Sequence, residues 1–423
     1  MTKRTLLFLL LWCLWSLGAI AQINCPTSPA KRLPLVCLIP VATRAQNPGT
    51  VGDPAAAFNA SFATQLTQLP LPSSATGVVF VFDKSINEDV PLENLGPILT
   101  DRAQTIGKKK LFVGFSFQQF TFNSVDGNSL ASLPFVFKAT SGNQDQYVTQ
   151  RERISFKLDQ YVVVGTYGLT DRTDVSVVIP IERVSIGVGQ SSAGPGTEYV
   201  VNNATIPPTQ LGTISVPIGS TAGVASGFGD VLVNVKHEFV SGERFHFGAG
   251  LFVRLPTGDA LNYLGSGAYG INPYAVVSYQ WRVSPHAKFG YIWNTSTVLI
   301  QPPTSPTGNN STRLPGGLQY DFGADAKVFQ RVTLAVDFLG NQFQNSPVLV
   351  PVTTNIPAFN VPATGVQRLN ATYTANDFSV GLKWKPLEKR NLLVYANGLF
   401  QLNNVGMRSD PVPLVGLSYT FGF

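Results

Sequence analysis

Charge is the scarcest property of this chain: 13% of its 423 residues are Asp, Glu, Lys or Arg, about half the roughly 25% of an ordinary soluble domain. With 44% apolar residues, that deficit excludes an intrinsically disordered chain, and the absence of any Lys/Arg block excludes a nucleic-acid-binding tail. Long apolar runs are missing too. Beyond the first two dozen residues nothing approaches the ~18 consecutive apolar residues of a bilayer-spanning helix, so a helical membrane protein is excluded. Histidine (3), methionine (2) and cysteine (3) are few, and no Cys/His cluster suggests a metal site. No cofactor is expected. What is plentiful is Gly (39), Pro (30) and Phe (28), a composition suited to many short strands joined by turns.

The N-terminus reads as an export signal over 1–21: Lys3 and Arg4 form a positive region, Leu6 to Leu17 an apolar core, and Ala19-Ile20-Ala21 a small-x-small cleavage box. Its removal lowers the formal net charge of +6 by two, which leaves too diffuse a charge to imply a polyanionic partner. Cys25 and Cys37 survive processing. A close pair in an oxidising compartment points to a disulfide.

From Leu111 onward the chain divides into segments of about ten residues with period-2 alternation, the length and pattern of tilted transmembrane β-strands. In the last, Val415, Leu417, Tyr419, Phe421 and Phe423 alternate with Gly416, Ser418, Thr420 and Gly422. Phe245 to Leu255 and Leu318 to Val328 alternate in the same way. The pattern predicts strands at 111–122, 153–167, 172–183, 228–240, 244–256, 271–282, 286–294, 317–329, 331–344, 376–385, 390–401 and 412–423. Connections between them alternate strictly between long (123–152, 184–227, 257–270, 295–316 and 345–375, with 402–411 moderate) and short (168–171, 241–243, 283–285, 330, 386–389). A sandwich has no reason to sort its loops so, whereas an outer-membrane barrel has short periplasmic turns and long extracellular loops. The fold class expected is therefore all-β, a transmembrane antiparallel up-and-down barrel of twelve strands, fourteen being the alternative count. The barrel occupies 111–423. Residues 22–110 lack the ladder and are expected to form a plug or periplasmic segment; their one strand-like piece, Gly77 to Phe82, cannot join the barrel alone.

Trp281 and Trp384 lie beside short turns and Trp293 beside a long loop, all on the apolar parity, as aromatic girdles at the two interfaces require. The polar parity supplies the candidate lumen-lining residues Lys157, Asp159, Glu182, Lys236, Glu238, Arg254, Asp321, Asp325, Lys327, Asp337 and Lys383. With Lys288, Arg331 and Lys385 and with Asp174 and Asp230 of the same parity included, bases and acids balance on that face, which argues against a lumen selective for one ionic sign. Gly265, Gly267 and Gly270 match G-x-G-x-x-G but stand in a loop rather than between a strand and a helix, so no dinucleotide site is expected. None of His237, His246 and His286 falls at the extracellular rim, where a barrel hydrolase would need it.

Tyr167-Gly168-Leu169-Thr170-Asp171-Arg172-Thr173-Asp174, Gly227-Phe228-Gly229-Asp230, Pro256-Thr257-Gly258 and Gly265-Ser266-Gly267 together resemble the outer-membrane transporters associated with the meta-pathway of phenol degradation, a family similar to the long-chain fatty-acid channels. The asparagine-proline-alanine hatch motif of those channels is absent; Asp53-Pro54-Ala55 is a degenerate echo. The resemblance implies an outer-membrane barrel with an N-terminal hatch and passive uptake of hydrophobic or aromatic small molecules, with no enzymatic activity. Alternatives are a structural or surface-binding barrel with a sealed lumen, and an outer-membrane lipid-modifying or proteolytic enzyme. The partners expected are outer-membrane lipid, the barrel-insertion machinery and a hydrophobic solute.

Tyr419, Phe421 and Phe423 have the form of a terminal aromatic assembly signal read by the insertion machinery. Replacing Phe421 and Phe423 by Ser should sharply reduce membrane-inserted protein, and normal amounts of heat-modifiable barrel in the double variant would refute that reading.

Overall fold

The structure, a computed structural model, describes residues 25, 33–39, 54–66, 69–73, 80–83, 88–91, 94–191, 194–216, 220–300, 312–387 and 390–422. The signal segment, residues 77–79 and Phe423 lie outside the described residues. Twelve antiparallel strands close on themselves: β1 (Lys110–Val125), β2 (Gln144–Thr170), β3 (Thr173–Gln190), β4 (Val231–Ser241), β5 (Phe245–Leu255), β6 (Gly270–Tyr279), β7 (Val283–Asn294), β8 (Gly317–Phe329), β9 (Val332–Ile356), β10 (Val361–Trp384), β11 (Leu392–Gln401) and β12 (Val412–Gly422). The count of twelve holds. The seam is the β12–β1 pair, with Phe421 opposite Leu111 and Leu417 opposite Phe115. Between β3 and β4 the short strand Thr221–Phe228 continues the wall upward, separated from β4 by Gly229 and Asp230.

Alternation decides what faces the bilayer. Val415, Leu417, Phe421, Phe245, Leu251, Leu318 and Phe322 are exposed on the outer face, while Ser418, Thr420, His246, Arg254, Asp321 and Asp325 between them are buried. The tryptophans stand on that outer face, Trp281 64%, Trp384 51% and Trp293 47% exposed, which leaves their rings free to meet lipid at the two interfaces.

The long connections are more ordered than loops. β9 and β10 run on as one hairpin as far as the turn Pro357 to Asn360, with Ile356 paired to Val361. Residues 133–141 fold back on 144–152, and 196–202 pairs with both β2 and 209–216. These extensions stand beyond the bilayer-spanning length and raise the wall at the long-loop end. By contrast β8 reaches β9 through Gln330 and Arg331, the latter at φ 68°.

Of the described N-terminal residues, 35–39, 58–65 and most of 94–107 are buried against the barrel strands and their loops. Helix α1 (Pro54–Leu66) carries no charged residue, and every side chain described in it from Phe58 to Gln65 is buried, as a helix without a polar face must be. It packs at the long-loop end against β9 and β10. A disulfide joins Cys25 to Cys37, and Leu35 to Ile39 pack beside the helix in the same apolar cluster. Residues 94–107 lie at the short-turn end and lead into β1. Phe80–Asp83 and Glu88–Pro91 pair with each other as a separate two-stranded sheet.

This topology puts the turn around Ala358 outside the cell and Leu387 in the periplasm. A protease site inserted at Ala358 should be cut on intact cells and one at Leu387 protected; the reverse pattern would invert the barrel.

Candidate functional site

Residues 94–107 have no sheet or helix of their own, so the barrel wall must satisfy their backbone polar groups. Two buried lysines do most of it. Lys383 on β10 donates to the carbonyls of Leu95, at 3.1 Å, and Pro97; Lys236 on β4 donates to those of Arg102 and Gln104, at 2.9 and 2.8 Å. The wall also accepts: Thr333 Oγ1 from Leu95 N at 3.0 Å, Ser278 Oγ from Ala103 N at 2.8 Å, and Asp174 Oδ2 from Ile106 N at 3.0 Å. Where the segment turns into β1 it crosses Gly168, and a Cβ there would stand 1.8 Å from the carbonyl oxygen of Gly107. That close approach accounts for the glycine in the Tyr167–Asp174 motif.

His286 is held between two carboxylates, Nδ1 3.2 Å from Asp325 and Nε2 3.0 Å from Asp337, and Thr100 Oγ1 lies 2.6 Å from Nε2. Hydroxyl, imidazole and carboxylate in that order resemble a nucleophilic triad. Thr100, however, is fully buried and donates to Asp337 at 2.9 Å, so the group ties the segment to β7 and β9. His246 is buried against Glu238 at 2.6 Å, and His237 meets Thr173 near a short turn.

Three cavities lie in series. One of about 560 Å³ opens at the short turns and is lined by Arg102, His286, Asp325 and Lys327. The next, about 150 Å³, lies on the other side of the segment and is lined by Leu71, Leu99 and Leu232 together with Arg254, Lys288 and Asp321, Leu232 and Arg254 standing opposite each other in the strand register. Adjacent residues Asp101 and Arg102 thus face different compartments. A third, about 60 Å³, shares Leu69, Leu71, Leu232 and Arg254 with the second and reaches Tyr263 and Leu264 towards the long-loop end. In the middle cavity Lys288 pairs with Asp321 at 3.1 Å and lies 5.7 and 5.9 Å from the ring centres of Tyr274 and Phe252, within cation–π range.

The long-loop end is closed by an aromatic core. Phe62 sits 3.9 Å from Phe156, 5.3 Å from Tyr263 and 5.0 Å from Phe58, centre to centre. Tyr263 donates to Asn59, whose amide donates to the carbonyl of Val36, linking loop, helix and disulfide segment. Ser61 donates to Pro347 O at 3.1 Å, and Asp126 accepts from Leu349 N at 2.7 Å and Gly406 N at 3.0 Å.

Of the candidate lumen residues, Glu182, Lys236, Glu238, Arg254, Asp321, Asp325, Asp337 and Lys383 point inward, and Lys327 has the inward parity at the short-turn mouth. Lys157 and Asp159 require correction. Both lie on the outward face of β2, in phase with the exposed Tyr161, while Phe156 and Leu158 beside them are buried inside. Above the bilayer the outer face meets water and the inner face meets Phe62, so the same alternation carries the opposite meaning. Helix α1, Thr100 and Asp126 went unread from sequence; the uncharged run of 54–66 was the one available signal for the helix.

Three of the quoted motifs converge on Asp230. Its carboxylate accepts from Gly258 N at 3.1 Å and Ser266 N at 2.7 Å, and from the Ser266 hydroxyl. Thr257 Oγ1 bonds Gly229 O and Val231 N, both at 2.9 Å. These residues knot the long loop after β5 to the start of β4.

Residues 121–304 match the family described as "Putative MetA-pathway of phenol degradation", the family the motifs resemble, and all four motifs fall inside the match. No curated protein matches the chain. Among solved structures, an outer membrane channel from Pseudomonas putida F1 is 14% identical, covering 75% of this chain and 98% of that one, at TM-score 0.44. The toluene transporter TbuX of Ralstonia pickettii is 10% identical, covering 74% and 90%, at 0.31. A FadL homologue of Pseudomonas aeruginosa is 11% identical, covering 74% and 90%, at 0.27.

Burial raises the carboxyl of Asp126 from its ordinary 3.8 to about 6, against the lowering effect of its two N–H partners. Above pH 6 the site carries the full penalty of a buried charge; as pH falls from 6 towards 4 the folded state takes up a proton first and the penalty is relieved. Amide protection factors across 345–375 should therefore rise over that interval, and Asp126→Asn should flatten the rise. Protection that falls in the native protein, or a rise unchanged in the variant, would contradict this.

Proposed function

We propose that this outer-membrane barrel is a passive, non-enzymatic route for hydrophobic or aromatic small molecules. The observation that carries the reading is the middle cavity: about 150 Å³ lined by leucines such as Leu71, Leu99 and Leu232 among paired charges and amides, a volume of the order that accepts one benzene-sized molecule, with the chain's own residues 69–73, Leu99 and Asp101 as part of its lining. The family's description, phenol degradation, supports a small aromatic solute.

The mechanism follows from the packing. A solute entering from the long-loop end displaces part of the apolar packing around Phe62, Tyr263 and Leu264, passes Leu69 into the cavity, and leaves when residues 94–107, acting as a plug, shift. The plug is held by hydrogen bonds from wall side chains and can be released piecemeal. Ions are excluded because the interior charges already answer one another, as in Lys288 with Asp321, His286 with Asp325 and Asp337, and Arg408 with Asp377 at 3.0 Å. A wall without a surplus of one sign offers an ion no compensating ladder.

Liposomes carrying the protein should take up toluene-like solutes faster than empty ones while conducting ions poorly. The double variant Lys236→Met/Lys383→Met removes four hydrogen bonds to plug carbonyls, each unsatisfied carbonyl costing about 1–3 kcal/mol, and should raise conductance with the barrel still inserted. Large steady conductance of the native protein without apolar uptake would identify a general porin. Neither effect would identify a sealed structural barrel, and release of labelled fatty acid or peptide from a supplied substrate would identify an enzyme.

A further inference from the structure

The outward faces of β2 and β3 change character partway along. On β2, Tyr161, Tyr167 and Leu169 are exposed apolar residues, and Arg153, Ser155 and Lys157 then continue the same parity towards the long-loop end. On β3, Val177 and Ile181 are followed by Arg183, Ser185, Gly187 and Gly189. Lys157 stands opposite Ser185 and Asp159 opposite Arg183, so Lys157 and Arg183 are diagonal neighbours with Cα atoms roughly 7–8 Å apart. Arg153 stands opposite Gly189. All three cations are exposed, and among the described residues none has an ion-pair partner. The nearby Asp159 is engaged by Gln119 at 2.7 Å.

Beside these cations the wall is hollow. Arg153, Ser155, Gly187, Gly189, Ser220 and Ala222 line a trough of about 370 Å³, whose glycines leave backbone as its floor, while the hydroxyl of Thr221 beside them is turned inward to Leu38 O at 2.9 Å. Hydroxyls and a floor without side chains suit a flat, polyhydroxylated ring lying against the strands; cations at its edge suit phosphate, which guanidinium and ammonium bind by charge-assisted hydrogen bonds. The trough opens sideways, immediately beyond the apolar band and on the long-loop side, where the headgroups of the outer leaflet lie.

We propose that this trough binds the phosphorylated sugar headgroup of an outer-leaflet glycolipid, with Arg153, Lys157 and Arg183 holding phosphate and Ser155 and Ser220 meeting sugar hydroxyls. The site is separate from the lumen and does not depend on what the lumen passes.

The test uses the purified full-length barrel, with lipopolysaccharide as probe and two readouts: glycolipid retained per protein, and the temperature of heat-modifiable unfolding. Binding should fall by about fivefold for each cation removed, so Arg153→Ala/Lys157→Ala/Arg183→Ala should lose nearly all retention and the rise in unfolding temperature. Arg244→Ala/Arg282→Ala, at exposed positions by the short turns, should keep both. Dephosphorylated glycolipid on the native protein should bind weakly, an arm that needs no variant to fold. Equal binding by the triple variant, equal binding of the dephosphorylated lipid, or an equal effect of phosphatidylglycerol would each overturn the proposal.

Discussion

A bilayer interior offers no hydrogen bonds, and the rest of this structure depends on that constraint. Every strand N–H and C=O within the hydrocarbon must find a partner in the protein, so twelve strands without a free edge are the solution and the β12–β1 seam is as necessary as any hairpin. The same accounting governs the lumen. Residues 94–107 run through it without regular structure, and their carbonyls are answered by Lys236 and Lys383, side chains that would be intolerable on the lipid face.

Interior charge is therefore structural before it is functional. A buried ion is stable only when paired or fully hydrogen-bonded, and the pairs around His286, Lys288 and Arg408 meet that condition. Three apolar contributions complete the filling: helix α1, the disulfide-linked segment and the phenylalanines of β1 and β2 that face them. Between these two kinds of packing lies the middle cavity, whose lining includes both Leu232 and Lys288.

Much of the fold was legible because alternation in a barrel is enforced on both faces. The twelve strands, the sorting of connections and the outward tryptophans all follow from a period of two and a single lipid boundary. Lys157 and Asp159 were misread because β2 continues beyond that boundary for many residues without any change of period. Glu182, Lys236, Glu238 and Arg254 lie where parity places them, but parity holds no information about which of them grips a carbonyl and which pairs with a charge.

The sequence by itself determined strand order, barrel closure and the face each residue takes within the bilayer, since these depend on local periodicity and a uniform apolar environment. Only the tertiary structure decided that residues 94–107 occupy the short-turn end of the lumen, that helix α1 closes the other end, and that Asp230, Gly258 and Ser266 form one knot. Those outcomes rest on contacts between residues far apart in the chain, such as Leu95 with Lys383 and Ser61 with Pro347. Their energies come from the fit of groups brought together by barrel closure, and local pattern carries no record of that fit.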